Sequence, residues 1–271
     1  MNKMIETPHI PERCYEYKLT SKRQLEYRIL LGNPADEAPP GGYAVIYALD
    51  GDALFQTLAE AVKLQTRKPK GFDPILVVGI GYPSREPFDV ERRCRDFTMH
   101  VDEASLPERP DGRPWPPHGE ADQFLDFLEF ELMPAIAKEW PIDPNRQLLV
   151  GHSLGGLFAL HALFTRPQLF THYVAGSPSV WWANNEVLKE MQQFKAGWQG
   201  EYQRQLLLTI GADELEDMLE GAEEVAAGMA TLAEQGLHLE WIKFTGEDHV
   251  TVLPAMLSRL PRFVWSGKEP K

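Results

Sequence analysis

The stretch 147–160, QLLVGHSLGGLFAL, places a serine between glycines within a run of mostly apolar residues. The residues before Ser153 predict a buried strand, and those after it predict a buried helix. Gly151, Ser153 and Gly155 form G-x-S-x-G, a spacing typical of a sharp strand-to-helix turn that projects the serine hydroxyl above a sheet. We expect a Cβ atom at 151 or 155 to collide with the neighbouring strand or helix. This context, with a further glycine at 156, favours a nucleophilic Ser153 over a purely structural turn.

Around this turn, the rest of the chain predicts strands that alternate with helices. Two antiparallel strands open the chain, at 15–20 and 24–31. Further strands are predicted at 43–49, 75–80, 147–150, 172–175, 205–210 and 238–244, and helices at 52–63, 121–138, 154–164, 184–194, 216–235 and 251–260. This order is typical of an α/β fold, with a mostly parallel central sheet and helices on both faces. We expect a single domain over residues 1–271, with ligands binding at the carboxyl ends of the strands.

Residues 82–119 interrupt this alternation, with prolines at 83, 87, 107, 110, 114, 116 and 117. A long irregular segment inside a compact domain is usually a functional loop. We therefore expect an irregular, lid-like insertion near the active site.

Composition excludes several other functions. The formal charge is −13 and basic tracts are absent from the sequence, which argues against a nucleic-acid partner. The sequence shows neither a secretory signal nor a membrane-spanning run, so we expect a cytoplasmic protein without a membrane partner. Cys14 and Cys94 are expected to be free thiols. Ligand-spaced sets of histidine, cysteine and acidic residues are absent, so we expect no metal and no cofactor.

A serine nucleophile needs a base, and the usual chain order for this architecture is serine, acid, histidine. Only His238 and His249 follow both Ser153 and a later strand. Alternation along the strand at 238–244 places His238 on the surface. His249 lies after that strand and before the last helix, so we expect it to be the general base. The backbone N–H of Leu154, at the start of the helix after the serine, is the expected first oxyanion donor.

The acid is expected in the loop GADELED, residues 211–217, after the strand at 205–210. Asp213 is closest to the strand end and is our first candidate, with Glu216 as the alternative. Glu214 and Asp217 are also possible, although acids at a helix start are more often solvated and suit its macrodipole. The sequence alone leaves this choice open.

Several motifs together resemble one family. They are YALDGDALF (47–55), GIGYPSREPFDVERRCRDFT (79–98), FLDFLEFELMPAI (124–136), GHSLGGLFAL (151–160), SPSVWW (177–182) and GEDHVTVLPAML (246–257). Over roughly residues 15–260, the chain resembles the esterase D-like α/β hydrolases, and more narrowly the bacterial catecholate-siderophore esterases that open the enterobactin and salmochelin trilactones. The resemblance implies the α/β-hydrolase fold and a serine esterase that contributes to iron release. It carries Ser153 and His249 over as nucleophile and base.

The resemblance also implies roles for further residues. The second oxyanion donor would be the backbone at Gly51 and Asp52, and Arg93 would steer the substrate. The segment 85–95 holds four arginines and three acids, so Arg85 is a second candidate for contact with an anionic ferric catecholate. Trp181 and Trp182, with Trp115, could wall a site for catechol rings, and we expect at least one of the adjacent pair to line the cleft.

Two alternatives stay open. The chain could be a broader carboxylesterase, a carbohydrate acyl esterase or a thioester hydrolase. It could also be a non-enzymatic module that binds a ferric siderophore without cutting it.

Overall fold

The computed structural model describes residues 11–32, 37–109 and 112–266. Their strands form one eight-stranded sheet in the order β1-β2-β4-β3-β5-β6-β7-β8. β1 pairs with β2, and β2 with β4, in antiparallel fashion, whereas the other neighbouring pairs are parallel. The strands are β1 Cys14–Thr20, β2 Glu26–Gly32, β3 Tyr43–Ala48, β4 Ile75–Gly81, β5 Ile142–His152, β6 His172–Gly176, β7 Arg204–Gly211 and β8 Leu237–Phe244.

The α-helices follow the strands, as the parallel connections require. They are α1 Gly51–Gln65, α2 Val90–Phe97, α3 Ala121–Phe127, α4 Met133–Glu139, α5 Leu154–Thr165, α6 Trp182–Gly197, α7 Glu216–Ala230, α8 Val252–Leu257 and α9 Leu260–Phe263. A π-helical segment, Leu128–Leu132, joins α3 to α4. Short 3-10 turns occur at Glu103–Ser105 and Ala233–Gln235.

Helices cover both faces of the sheet. The side chains of β3 alternate between two separate apolar clusters, with Tyr47 in one and Ile46 in the other. The cluster around Tyr47 includes residues of α2 to α7, and the cluster around Ile46 includes residues of α1, α8 and α9. The predicted fold class, a mostly parallel sheet between two helical layers, is therefore confirmed.

Some predicted elements differ from the structure. The segment 82–119 is not irregular throughout, because Val90–Phe97 forms α2, whose first turn is capped by the Asp89 carboxylate accepting from the Arg92 N–H at 3.0 Å. The predicted helix 121–138 contains the π-helical segment. The terminal helix is divided into α8 and α9. Apolar periodicity dominates the sequence, and it does not indicate a local helix cap or a switch from α-helical to π-helical hydrogen bonding.

Two further observations concern the whole of residues 11–32, 37–109 and 112–266. Over these ranges, the helices are too short or too polar to cross a membrane. Cys14 and Cys94 are both free, and Cys94 is buried.

Candidate active site

The serine turn has the strained geometry that its sequence predicts. β5 ends at His152, α5 begins at Leu154, and Ser153 between them has φ 59° and ψ −117°. A non-glycine residue adopts this backbone conformation only when its surroundings enforce it. The Ser153 N–H donates to the Gly176 carbonyl at 2.9 Å, and its carbonyl accepts from the Leu157 N–H at 2.9 Å. The serine is thus fixed at the carboxyl end of the sheet and at the amino end of a buried helix.

The glycines around the serine differ in how much space they have. A Cβ on Gly151 would overlap the Gly155 carbonyl oxygen, which confirms the expected collision at 151. The expectation for 155 is wrong, because a Cβ there would approach no atom closer than 3.4 Å. The second restrictive position is Gly156, whose Cβ would lie 2.6 Å from the Gly176 carbonyl oxygen. α5 therefore packs against β6 through Gly156, which follows the G-x-S-x-G motif, and not through Gly155, the last glycine of that motif.

His249 lies in the segment between β8 and α8, beside the serine turn. Its ring centroid is 4.5 Å from that of His152, the residue before Ser153. Its Nδ1 is 2.7 Å from a carboxylate oxygen of Glu214. Because an ionised carboxylate only accepts hydrogen bonds, in the neutral imidazole Nδ1 carries the proton and Nε2 keeps a free lone pair. The histidine is therefore held in the tautomer that can accept a proton from a serine hydroxyl.

The partner of His249 is Glu214, so the first candidate, Asp213, and the alternative, Glu216, are wrong as the acid. The Glu214 side chain is only 1% exposed, whereas Asp213 and Glu216 are exposed. The physical reason is the turn after β7: the Asp213 N–H donates to the Glu247 carbonyl at 3.0 Å and leaves its side chain in solvent. The next residue, Glu214, has a longer side chain, which turns back toward the end of β7.

The Glu214 carboxylate is held by three donors. Besides His249, it accepts from the Ser177 hydroxyl at 2.5 Å and from the Gly211 N–H at 2.9 Å. Burial alone would raise the pKa of Glu214, but the hydrogen bonds from His249, Ser177 and Gly211 lower it below its usual value. The carboxylate is therefore ionised near neutral pH and orients the imidazole.

His152 packs against His249 but has a different charge state. Burial lowers the pKa of His152 to about 3, and the neighbouring His249 adds to that effect. A neutral His152 does not compete with His249 for the Glu214 charge.

The Ser153 hydroxyl also has a partner that the sequence did not indicate. Its Oγ is 3.2 Å from the Oγ of Ser179, a buried residue of the motif SPSVWW. The Ser179 N–H donates to the Ser153 carbonyl at 3.1 Å. The two serines are therefore joined through both backbone and side chain.

Behind the serine turn lies a buried ion pair. The Arg93 guanidinium donates through Nε to Asp50 at 2.8 Å and through Nη2 to the His152 carbonyl at 3.2 Å, and its side chain is 10% exposed. Burial raises the pKa of Asp50 to about 6, although Arg93 opposes that rise. Asp50 was missed in the sequence, where the motif YALDGDALF indicated a role only for the backbone at Gly51 and Asp52. These Arg93 donors are bonded to other residues of the protein, so the expected role of Arg93 in steering substrate stays a prediction.

The other predicted substrate contacts fall into two groups. Trp182 is fully buried with its ring 4.9 Å from that of Trp115, so the expectation that it contacts substrate is wrong: its indole fills the core beneath α6. Trp181 is only partly buried, in agreement with the expectation that one of the pair lies outside the core. The Arg85 side chain is 66% exposed and pairs with Glu16 at 3.1 Å.

The expected oxyanion donors lie at two helix starts. Leu154 is the first residue of α5 and Asp52 the second of α1, so their N–H groups belong to first turns without intrahelical partners. The Asp52 side chain is engaged elsewhere, because its carboxylate accepts hydrogen bonds from Arg28 and from the Tyr82 N–H. The donor roles of these two N–H groups stay predictions.

A mostly parallel sheet between helices, a strained serine turn at its carboxyl edge and a histidine fixed by a buried carboxylate define an α/β hydrolase. The family model described as "Putative esterase" matches residues 21–249, and the chain belongs to this esterase family.

Individual relatives agree with this assignment. The chain is 44% identical to the ferri-bacillibactin esterase BesA of Bacillus subtilis, over 88% of this chain and 84% of the relative. It is 37% identical to a siderophore enterobactin esterase of Emericella nidulans, over 67% of this chain and 62% of the relative. The crystal structure of the BES protein from Bacillus cereus superposes with a TM-score of 0.90 at 40% identity, covering 96% of this chain and 99% of that one. The chain is thus an esterase with the α/β-hydrolase fold.

Proposed function

We propose that the chain is a serine esterase that hydrolyses the ester bonds of a catecholate siderophore of the trilactone type and so contributes to iron release. The observation that carries the chemistry is His249, held by Glu214 at 2.7 Å next to the strained turn of Ser153. The substrate class is supported by the relatives, whose names describe them as esterases for ferri-bacillibactin and enterobactin.

In the proposed reaction, Ser153 Oγ attacks an ester carbonyl while His249 Nε2 takes the hydroxyl proton. The carbonyl electrons move to oxygen, where the N–H of Leu154 and the backbone at Asp52 stabilise the charge. The C–O bond to the siderophore alcohol then breaks, and His249 returns the proton to that alcohol. Water, deprotonated by His249, attacks the acyl-enzyme. The bond between the acyl carbon and Ser153 Oγ then breaks, and His249 returns the proton to Oγ as the acid leaves. Glu214 stays ionised and stabilises the imidazolium in both halves.

Substrate recognition is proposed to involve the mouth of the site. Arg85 is exposed enough to meet an anionic ferric catecholate, and the indole of Trp181, which is partly exposed, is proposed to stack on a catechol ring. Arg93 is proposed to steer the anionic substrate, although its guanidinium is paired with Asp50. The cytoplasm is the proposed location, since two free cysteines suit a reducing compartment.

The first experiment tests the chemistry. A fluorophosphonate probe should label the wild type and fail to label Ser153→Ala, while p-nitrophenyl acetate hydrolysis falls by about three to six orders of magnitude. Ser258→Ala, which changes an exposed serine, serves as the matched control and should label normally. A wild type that the probe leaves unlabelled would favour the binding module and refute the proposal.

The second experiment tests the substrate. Mass spectrometry should detect linear products from bacillibactin and enterobactin, each offered with and without iron. Turnover confined to p-nitrophenyl esters or to acyl thioesters would replace the siderophore assignment with that of a broader esterase.

A further inference from the structure

The segment Ser177–Ser179 connects the two sides of the site. It lies between the end of β6 at Gly176 and the start of α6 at Trp182. The Ser177 N–H donates to the Thr209 carbonyl at 2.7 Å on β7, and the Ser179 N–H donates to the Ser153 carbonyl at 3.1 Å. The backbone of this short segment therefore reaches the serine turn at one end and the strand before Glu214 at the other.

The two serine hydroxyls divide these contacts between them. Ser177 Oγ donates to Glu214 at 2.5 Å, and Ser179 Oγ lies 3.2 Å from Ser153 Oγ. Both residues are almost completely buried, at 0% and 1% exposure. A buried hydroxyl needs a hydrogen-bond partner, and for Ser179 that partner is the proposed nucleophile itself.

The direction of the hydrogen bond between Ser179 and Ser153 follows from the reaction. A hydroxyl has one proton and two lone pairs. When Ser153 directs its proton to His249 Nε2, its oxygen can only accept from Ser179. In the reactive arrangement Ser179 is therefore the donor, and its proton points at the oxygen that carries partial negative charge while its own proton passes to His249.

We propose that Ser179 is a positioning residue that donates a hydrogen bond to Ser153 Oγ, fixes the rotamer from which it attacks and stabilises the charge on this oxygen. This inference rests on the proposed function. The hydrogen bond acts twice: when Ser153 loses its proton during attack, and when the bond between the acyl carbon and Oγ breaks in the second half-reaction. In that step the electron pair returns to Oγ, and His249 supplies the proton.

The test compares Ser179→Ala with Ser179→Thr, which keeps the hydroxyl. The alanine variant should react with the fluorophosphonate probe about tenfold more slowly than wild type, the value of roughly one hydrogen bond. Its kcat for p-nitrophenyl acetate should fall by a similar factor with KM unchanged, and the threonine variant should recover most of the loss. Thermal unfolding of each variant checks that the fold is intact, and Ser179→Cys, a weaker donor of similar size, gives the same comparison if the alanine variant does not fold.

A second contrast separates positioning from general packing. Ser177→Ala removes one of the hydrogen bonds that lower the pKa of Glu214, so it should shift the acid side of the pH dependence of kcat/KM to higher pH. Ser179→Ala should leave the shape of that dependence unchanged. Wild-type labelling of Ser179→Ala, or equally slow labelling of the alanine and threonine variants, would overturn the inference while the proposed function stands. An unlabelled wild type would instead refute the proposed function.

Discussion

Replacement of Glu214 by glutamine provides the sharpest test of the site. The change keeps the shape of the side chain but removes the charge facing His249 Nδ1, 2.7 Å away. A glutamine amide presents N–H donors as well as an oxygen. If the amide nitrogen faces His249, Nδ1 becomes an acceptor, the proton moves to Nε2, and the imidazole loses the lone pair that we propose takes the serine proton.

The expected loss follows from the contacts. The Glu214 side chain is 1% exposed, so solvent does not replace the missing charge. Loss of the orienting carboxylate, with the tautomer reversed, reduces kcat by about 10⁴-fold in serine hydrolases. That factor corresponds to about 5.5 kcal/mol of transition-state stabilisation. Ser177 and Gly211 can still donate to the amide oxygen, which should keep the variant folded.

The assay is kcat for p-nitrophenyl acetate near neutral pH, with thermal unfolding as a check on the fold. Asp213→Asn is the matched control: it removes the neighbouring charge from an exposed side chain and should change kcat by no more than about twofold. The reasoning is refuted if Glu214→Gln retains wild-type kcat, or if Asp213→Asn loses as much activity as Glu214→Gln.

Other predictions concern the serine turn and a buried histidine. Gly151→Ala should cost several kcal/mol of stability, at the upper end of single-residue effects, or prevent folding. The reason is that its Cβ would overlap the Gly155 carbonyl oxygen. Gly155→Ala has room for its Cβ and should lower the melting temperature far less. His161 lies 2.9 Å from Glu190 and 3.4 Å from Asp122; burial lowers its pKa, but these carboxylates raise it overall to about 9. Because the pKa of His161 is raised in the folded protein, protonated His161 contributes stability that is fully present below about pH 6.5. This contribution is lost as the pH rises through 9. The melting temperature of wild type should therefore exceed that of His161→Gln clearly at pH 6 and by much less at pH 10. A pH-independent difference in melting temperature would contradict the assignment.

Much of the architecture was predictable from local patterns. The apolar strand, the serine between glycines and the apolar helix lie consecutively in 147–160, and each signal depends only on neighbouring residues. The exposed position of His238 followed from strand alternation in the same way. His249 was identified as a candidate because only one other histidine followed a later strand.

The choice of acid needed the folded structure. Four carboxylates occupy residues 213–217, and their order along the chain does not tell which one turns inward. That choice depends on the Ala212 N–H donating to the Phe244 carbonyl at 2.8 Å and on the corresponding bond from Asp213 to Glu247. These contacts join the end of β7 to the end of β8 and its following loop, and such long-range pairings leave no local pattern.

By itself, the sequence determined the alternating α/β architecture, the strained serine turn and the segment that carries the histidine, because apolar periodicity and glycine spacing are local properties. Only the tertiary structure decided that Glu214 holds His249, that Trp182 is core and that Ser179 meets Ser153. Each of those outcomes depends on where a side chain points after distant strands have paired. Side-chain direction in a loop is set by hydrogen bonds to residues far away in the chain, and for this reason the fold could be read from the sequence and the complete site could not.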